Sequence, residues 1–127
     1  MTTSSSRRVL LVDDNRDSVE TLSMLLRIKG HDARIAETGE QAVVAADEYQ
    51  PHVVFLDLSL PGMDGYAVAH TLRQRPYGSS IVLVALTGWS GREVQAKAAE
   101  AGFDFHLLKP VEWLELEQVL ESAPMAT

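Results

Sequence analysis

Apolar and polar positions follow two rhythms along the chain. "RVLLV" at 8–12 is short and apolar on both faces, the pattern of a central parallel strand covered by helices. Behind it Val19, Leu22, Leu25, Leu26 and Lys29 recur at three- and four-residue spacing, which predicts an amphipathic helix stopped by Gly30. "DARIA" at 32–36 predicts a second, more polar strand suited to a sheet edge. Thr38 and Gln41 then form a capping-box pattern opening a helix to about Tyr49, ended by Pro51. "HVVFL" at 52–56 predicts the third strand, and the turn "SLPGMDG" leads into a helix from about Asp64 with Val68, Ala69 and Leu72 inward. "IVLVAL" at 81–86 is the fourth strand; Ser90 and Glu93 make a second capping box opening an alanine-rich helix that Gly102 closes. "DFHLL" at 104–108 is the fifth strand, and Pro110 suits the first turn of a last helix carrying Val111, Leu114 and Val119 inward.

Five strands alternating with five helices predict a parallel sheet built from right-handed crossovers, with helices on both faces. This is the doubly wound α/β class. The polar second strand at an edge favours the flavodoxin-like order 2-1-3-4-5. Residues 1–127 are expected to form a single domain, its core at about 8–122 with short flexible ends.

Composition narrows the function classes. Eleven basic against eighteen acidic residues leave a formal charge of −7, which opposes direct binding to nucleic acid or to an anionic membrane and favours cations. No apolar run approaches the ~20 residues of a membrane span, and the first residues lack the apolar stretch of a secretory signal, so the cytoplasm is the expected location. Cysteine is absent, which excludes disulfides, thiolate metal sites and a cysteine nucleophile.

The candidate chemistry lies where the strands end. The first is followed by Asp13 and Asp14, the third by Asp57, the fourth by Thr87 and the fifth by Lys109. In an open parallel sheet these ends share one edge, where ligands bind at the switch point between strands 1 and 3. Singly, each has an ordinary reading: Asp13 or Asp14 as a helix N-cap, Asp57 as a turn residue, Thr87 as a strand end, Lys109 as a solvated charge. Together, three carboxylates at one edge repel unless a cation sits among them, and Mg²⁺ suits their oxygens. A metal, an ammonium and a hydroxyl around one carboxylate make a site for a transferred phosphoryl group, with Asp57 as nucleophile.

The motifs "VLLVDDN", "VVFLDLSLPGMDGY", "VALTG" and "LLKP", in this order and spacing, closely resemble the response-regulator receiver domain of two-component signalling. The resemblance covers about residues 8–122. It implies that Asp57 is the phosphoacceptor, that Asp14 and Asp57 ligate Mg²⁺ (with Mn²⁺ as an alternative) directly and Asp13 through water, and that the Ser59 carbonyl completes the protein ligands. It further implies that Thr87 is the switch hydroxyl, that Lys109 pairs with the phosphoryl group, and that Pro110 follows a cis peptide bond. The implied donor is a histidine kinase or a histidine phosphotransfer protein, and the implied output is an altered protein-binding surface.

Two positions depart from the family's habits. His106 stands where many receivers place Tyr or Phe, so it is either a partly exposed strand histidine or a ring that reports the switch. Gly88 replaces a common alanine after Thr87. Trp89 and Trp113 are candidates for a partner surface, against simple packing of indole edges. Ser59 and Trp89 also flank the path of a hydrolytic water in receivers, and neither orients water strongly, so slow autodephosphorylation is expected. "ALTGW" with "AGFDFHLLKPV" looks closest to receivers of hybrid sensor histidine kinases, which makes the chain a stand-alone receiver or an excised domain.

Two competing readings rest on the same edge. A phosphatase of the haloacid dehalogenase class needs a second Asp two residues beyond the nucleophile, where this chain has Ser59. A flavodoxin needs a hydroxyl- and glycine-rich phosphate loop after the first strand, where this chain has "DDNRDS".

Overall fold

Strands β1 (Arg8–Val12), β2 (Asp32–Ala36), β3 (Val53–Asp57), β4 (Val82–Thr87) and β5 (Phe105–Leu108) pair in parallel in the order β2-β1-β3-β4-β5. They alternate with α1 (Arg16–Ile28), α2 (Gly39–Tyr49), α3 (Gly65–Arg73), α4 (Arg92–Ala101) and α5 (Trp113–Ser122). The computed structural model describes residues 6–59, 64–88 and 91–122.

Successive residues of the central strands feed opposite cores, as a pleated strand requires. Leu10, Val12, Leu56, Leu83 and Ala85 pack with Ala42 and Ala46 of α2, Val68 and Leu72 of α3 and Ala98 of α4. Val9, Leu11, Phe55, Val84 and Leu86 pack with Val19 and Leu26 of α1 and Leu116, Val119 and Leu120 of α5. Phe55, Leu56, Leu72 and Leu116 are fully buried, and each such side chain stabilises the fold by roughly 1.5–3 kcal/mol. The sheet is thus clamped from both faces, and its strand ends are fixed points.

The expected elements are present, with differences at their ends. β3 and β4 each run one residue further than the apolar pattern, into Asp57 and Thr87. The ladder continues there: Asp57 pairs with Leu86, Thr87 with Leu108, and Lys109 N–H donates to the Thr87 carbonyl at 2.7 Å. Neither Asp13 nor Asp14 caps α1, because Asn15 does so, accepting from Ser18 N–H. Thr38 caps α2, while the Gln41 side chain reaches Glu37 N–H rather than that of Thr38. The α4 cap is Gly91 with no side-chain bond, and Ser90 lies outside the described residues. α5 begins at Trp113, so Pro110 precedes the helix; Val119 is buried as expected, together with Leu116 and Leu120, but Leu114 is 68% exposed. Lys29 is likewise exposed, as the C-cap of α1, and Gly30 follows at φ 94°, a conformation that suits glycine.

Arg73, the last residue of α3, ties the α3–β4 and α4–β5 connections together. Its guanidinium donates to the carbonyls of Gly78, Ile81 and Gly102 and to Asp104 Oδ2, at 2.6–2.9 Å.

Candidate functional site

A carboxylate directly behind a buried strand must meet water or a cation. Asp57 meets a cation. It is 5% exposed, its backbone is held in the β3–β4 ladder, and its Oδ2 accepts from Lys109 Nζ at 3.1 Å. Asp13, 3% exposed behind β1, accepts from the same ammonium through its own Oδ2 at 2.9 Å. Asp14 is exposed beside them, and one oxygen from each of the three carboxylates falls within 4.8 Å of the others.

The turns after β1 and β3 aim these groups. Asn15 N–H donates to Asp13 Oδ1 and Ser59 N–H to Asp57 Oδ1, each at 2.9 Å, so an Asx turn fixes each carboxylate. Gly65 lets α3 approach the same backbone. A Cβ there would lie 2.7 Å from Leu58 Cα and 2.9 Å from the Asp57 carbonyl oxygen.

Lys109 emerges from the end of β5, before a cis peptide bond to Pro110. Burial opposes its charge, but the hydrogen bonds and charges of Asp13 and Asp57 outweigh that effect and hold its pKa above the ordinary lysine value. The ammonium is therefore firmly charged at neutral pH. An open groove of about 610 Å³ beside it is lined by Asp13, Asn15, Ser18, Leu22, Lys109 and Pro110.

Thr87 ends β4 at the same sheet edge, 3% exposed. Gly88 is exposed, and a Cβ there would touch nothing within 4 Å, so sterics do not demand glycine. His106 is half-buried on β5 opposite Ala85, two register steps below Thr87, with Nε2 buried and lacking a hydrogen-bond partner among the described residues. Trp113 is half-buried against the α1–α5 core, whereas Trp89 lies outside the described residues.

The structure thus brings Asp13, Asp14, Asp57 and Lys109 together, with Ser59 bonded to Asp57 and Thr87 at the same edge. Asn15 and Gly65 went unnoticed in the sequence as contributors to the site. Asn15 stands two residues beyond Asp13, as Ser59 does beyond Asp57, and that matched Asx spacing was the available signal.

The arrangement can do two things chemically. Three clustered carboxylates, two of them sharing one ammonium, retain a deficit of positive charge that fits a hard divalent cation. A buried carboxylate with a charged donor beside it is poised to accept an electrophile rich in negative oxygens.

Comparison with known proteins agrees with this geometry. The family description of the response regulator receiver domain matches residues 9–121. The DNA-binding response regulator MtrA of Mycobacterium tuberculosis (strain H37Rv) is 36% identical over 110 residues, 87% of this chain and 47% of its own length. The chain therefore spans about half of MtrA. Among solved structures, the CheY-like receiver domain from Methylobacillus flagellatus superposes with a TM-score of 0.81 at 33% identity, over 93% of this chain and 98% of that one. The receiver domain of the sensor histidine kinase PA1611 from Pseudomonas aeruginosa PAO1, with a magnesium ion coordinated in its active-site cleft, superposes with a TM-score of 0.82 at 27% identity, over 92% and 96%. Acidic strand ends, a bridging lysine and a 2-1-3-4-5 sheet thus coincide with a family match over almost the whole chain, which belongs to the response regulator receiver domains of two-component signalling.

Proposed function

We propose that Asp57 accepts a phosphoryl group from a phosphohistidine and that the phosphorylated domain presents an altered protein-binding surface. The observation carrying this reading is the placement of Asp57: a buried carboxylate, rigid in the sheet, with Lys109 Nζ 3.1 Å from one oxygen. A carboxylate oxygen of Asp57 attacks phosphorus in line with the donor nitrogen. The P–N bond breaks, and its electron pair leaves with the imidazole of a histidine kinase or a histidine phosphotransfer protein. Lys109 then moves from the carboxylate pair to a phosphoryl oxygen, and the Thr87 hydroxyl donates to another. Because the attacking carboxylate gives up its own charge in the acyl phosphate, the modification adds a net of about one negative charge together with three strong acceptor oxygens, and these bias the β4 and β5 ends toward a second arrangement.

The donor set fits Mg²⁺, or Mn²⁺ in its place: oxygens of Asp13, Asp14 and Asp57 lie within 4.8 Å of one another, with Ser59 adjacent to supply its carbonyl. When bound, such an ion would neutralise developing charge on the phosphoryl oxygens. PA1611, with magnesium in its cleft, supports the same assignment.

The test is labelling with a small phosphodonor. An acid-stable, alkali-labile label that requires a divalent cation, is lost in Asp57→Asn and is lost in Asp14→Ala is the expected outcome. Undiminished label in Asp57→Asn, or in chelator, overturns the reading.

A further inference from the structure

At the opposite edge of the sheet from Asp57, two imidazoles perform a task normally done by backbone carbonyls. Arg7 N–H donates to His31 Nδ1 at 3.0 Å, and Arg8 N–H donates to His52 Nδ1 at 2.8 Å. His31 immediately precedes β2 and His52 immediately precedes β3, the two strands that flank β1. Each ring thus extends one ladder by a rung, on opposite sides of β1.

Other bonds make these rungs structural. Asp32 N–H donates to the Arg7 carbonyl at 3.0 Å, and His52 N–H to the Arg8 carbonyl at 2.8 Å. The His52 carbonyl in turn accepts from Val82 N–H at 2.9 Å, so His52 joins the starts of β1, β3 and β4. His52 is 5% exposed.

An imidazole accepts at Nδ1 only when neutral with its proton on Nε2. We propose that His31 and His52 form a paired, proton-operated latch on the start of β1: neutral, they hold the Arg7 and Arg8 amides, and protonation of either ring replaces its acceptor with a donor and frees that amide.

Burial and the neighbouring arginines favour the neutral, latched form. Burial lowers the His52 pKa, and the positive charges of Arg8 and Arg7 lower it further. Burial likewise lowers His31, with Arg7 acting in the same sense and Glu117 of α5 opposing it. A histidine whose folded pKa is depressed contributes stability that is complete above its unfolded value, about 6.5, and lost as pH falls through the folded value. The latch therefore closes at neutral pH and opens on the acid side. Ser6, whose hydroxyl donates to the Gly30 carbonyl at 2.9 Å, is the residue immediately before it.

The test uses the full isotopically labelled chain and two readouts. Nitrogen shifts at about pH 7.5 report the tautomer, and both rings should carry the proton on Nε2. Amide exchange from about pH 7.5 to 4.5, corrected for intrinsic rates and referenced to the core amide of Val54, should show Arg7 and Arg8 losing protection first, by up to about tenfold per pH unit for each ring that charges. His31→Asn and His52→Asn place an amide oxygen near Nδ1 without a titrating group, and each should flatten the pH response at its own partner amide. If a variant fails to fold, the wild-type tautomer and exchange profile still decide the matter. A proton on Nδ1 in either ring, or Arg7 and Arg8 protection that tracks Val54 throughout, overturns the proposal.

Discussion

Asp13 and Asp57, at the ends of the neighbouring strands β1 and β3, are held in one pattern: Oδ1 of each accepts from the backbone N–H two residues further on, and Oδ2 of each accepts from Lys109 Nζ. With both oxygens of both carboxylates engaged, neither side chain is free to rotate away from the other. Their separation is set by Lys109, a residue from β5's far side of the sheet order.

Replacing that lysine should expose the repulsion it suppresses. Lys109→Met leaves two nearly buried carboxylates facing each other, and in chelator it should be less stable than wild type by about 1–2 kcal/mol, a figure reduced because the lysine side chain is itself 33% exposed. Added Mg²⁺ should then stabilise the variant more than the wild type. Urea denaturation with and without the ion checks this, and equal ion effects would contradict it.

Gly65→Ala should damage stability and chemistry together. Its Cβ would press on the Leu58 Cα and the Asp57 carbonyl oxygen, both backbone atoms that cannot rotate aside. A loss of about 1–3 kcal/mol is expected, with slower phosphoryl acceptance because the displaced backbone carries Asp57. Normal labelling kinetics in a destabilised variant would show that the strain relaxes into α3 instead.

Arg73→Lys tests whether a planar fork or a positive charge secures the lower edge of the sheet. One ammonium cannot serve three carbonyls and Asp104 in their present positions, so stability should fall by about 2–4 kcal/mol although charge is conserved. A loss below about 0.5 kcal/mol in thermal or urea unfolding would refute this.

At the alkaline end, Tyr49 and Tyr77 should set the limit. Burial raises the pKa of each, aided by hydrogen bonds to Asp32 and Asp47 and by the charges of those carboxylates. A folded value above the unfolded one, about 10, means that their contribution is complete below that pH and lost as pH rises beyond it. Ultraviolet titration should show both phenols staying protonated until the protein unfolds, and Tyr77→Phe should lessen the fall in stability above about pH 10. Free ionisation of every tyrosine near 10 in the folded protein would be inconsistent with this.

How far the chain could be read depended on whether a signal was local. The sheet order followed from the polarity of 32–36, and the convergence of Asp13, Asp57, Thr87 and Lys109 followed from their placement behind apolar runs in a parallel sheet. Leu114 was misplaced because it lies five residues before Val119, about 140° around a helix, so the two do not share one inward face, whereas Leu116, Val119 and Leu120 do. Arg73, His31 and His52 carried no visible signal, since each acts on backbone groups that are remote in sequence. A pattern of side chains does not reveal which distant amide or carbonyl lacks a partner.

The cup around Asp57 also has a valence. Three carboxylates against the ammonium of Lys109 leave two negative charges, the amount one divalent ion cancels. A phosphoryl group on Asp57 would bring a net of about one more, since the acylated carboxylate loses its own charge, and Lys109 is a cation already at hand to follow it. Binding the ion would thus carry the site to neutrality and phosphorylation would carry it out of balance again, so the resting site works as an ion exchanger whose direction is set by whichever charge arrives next.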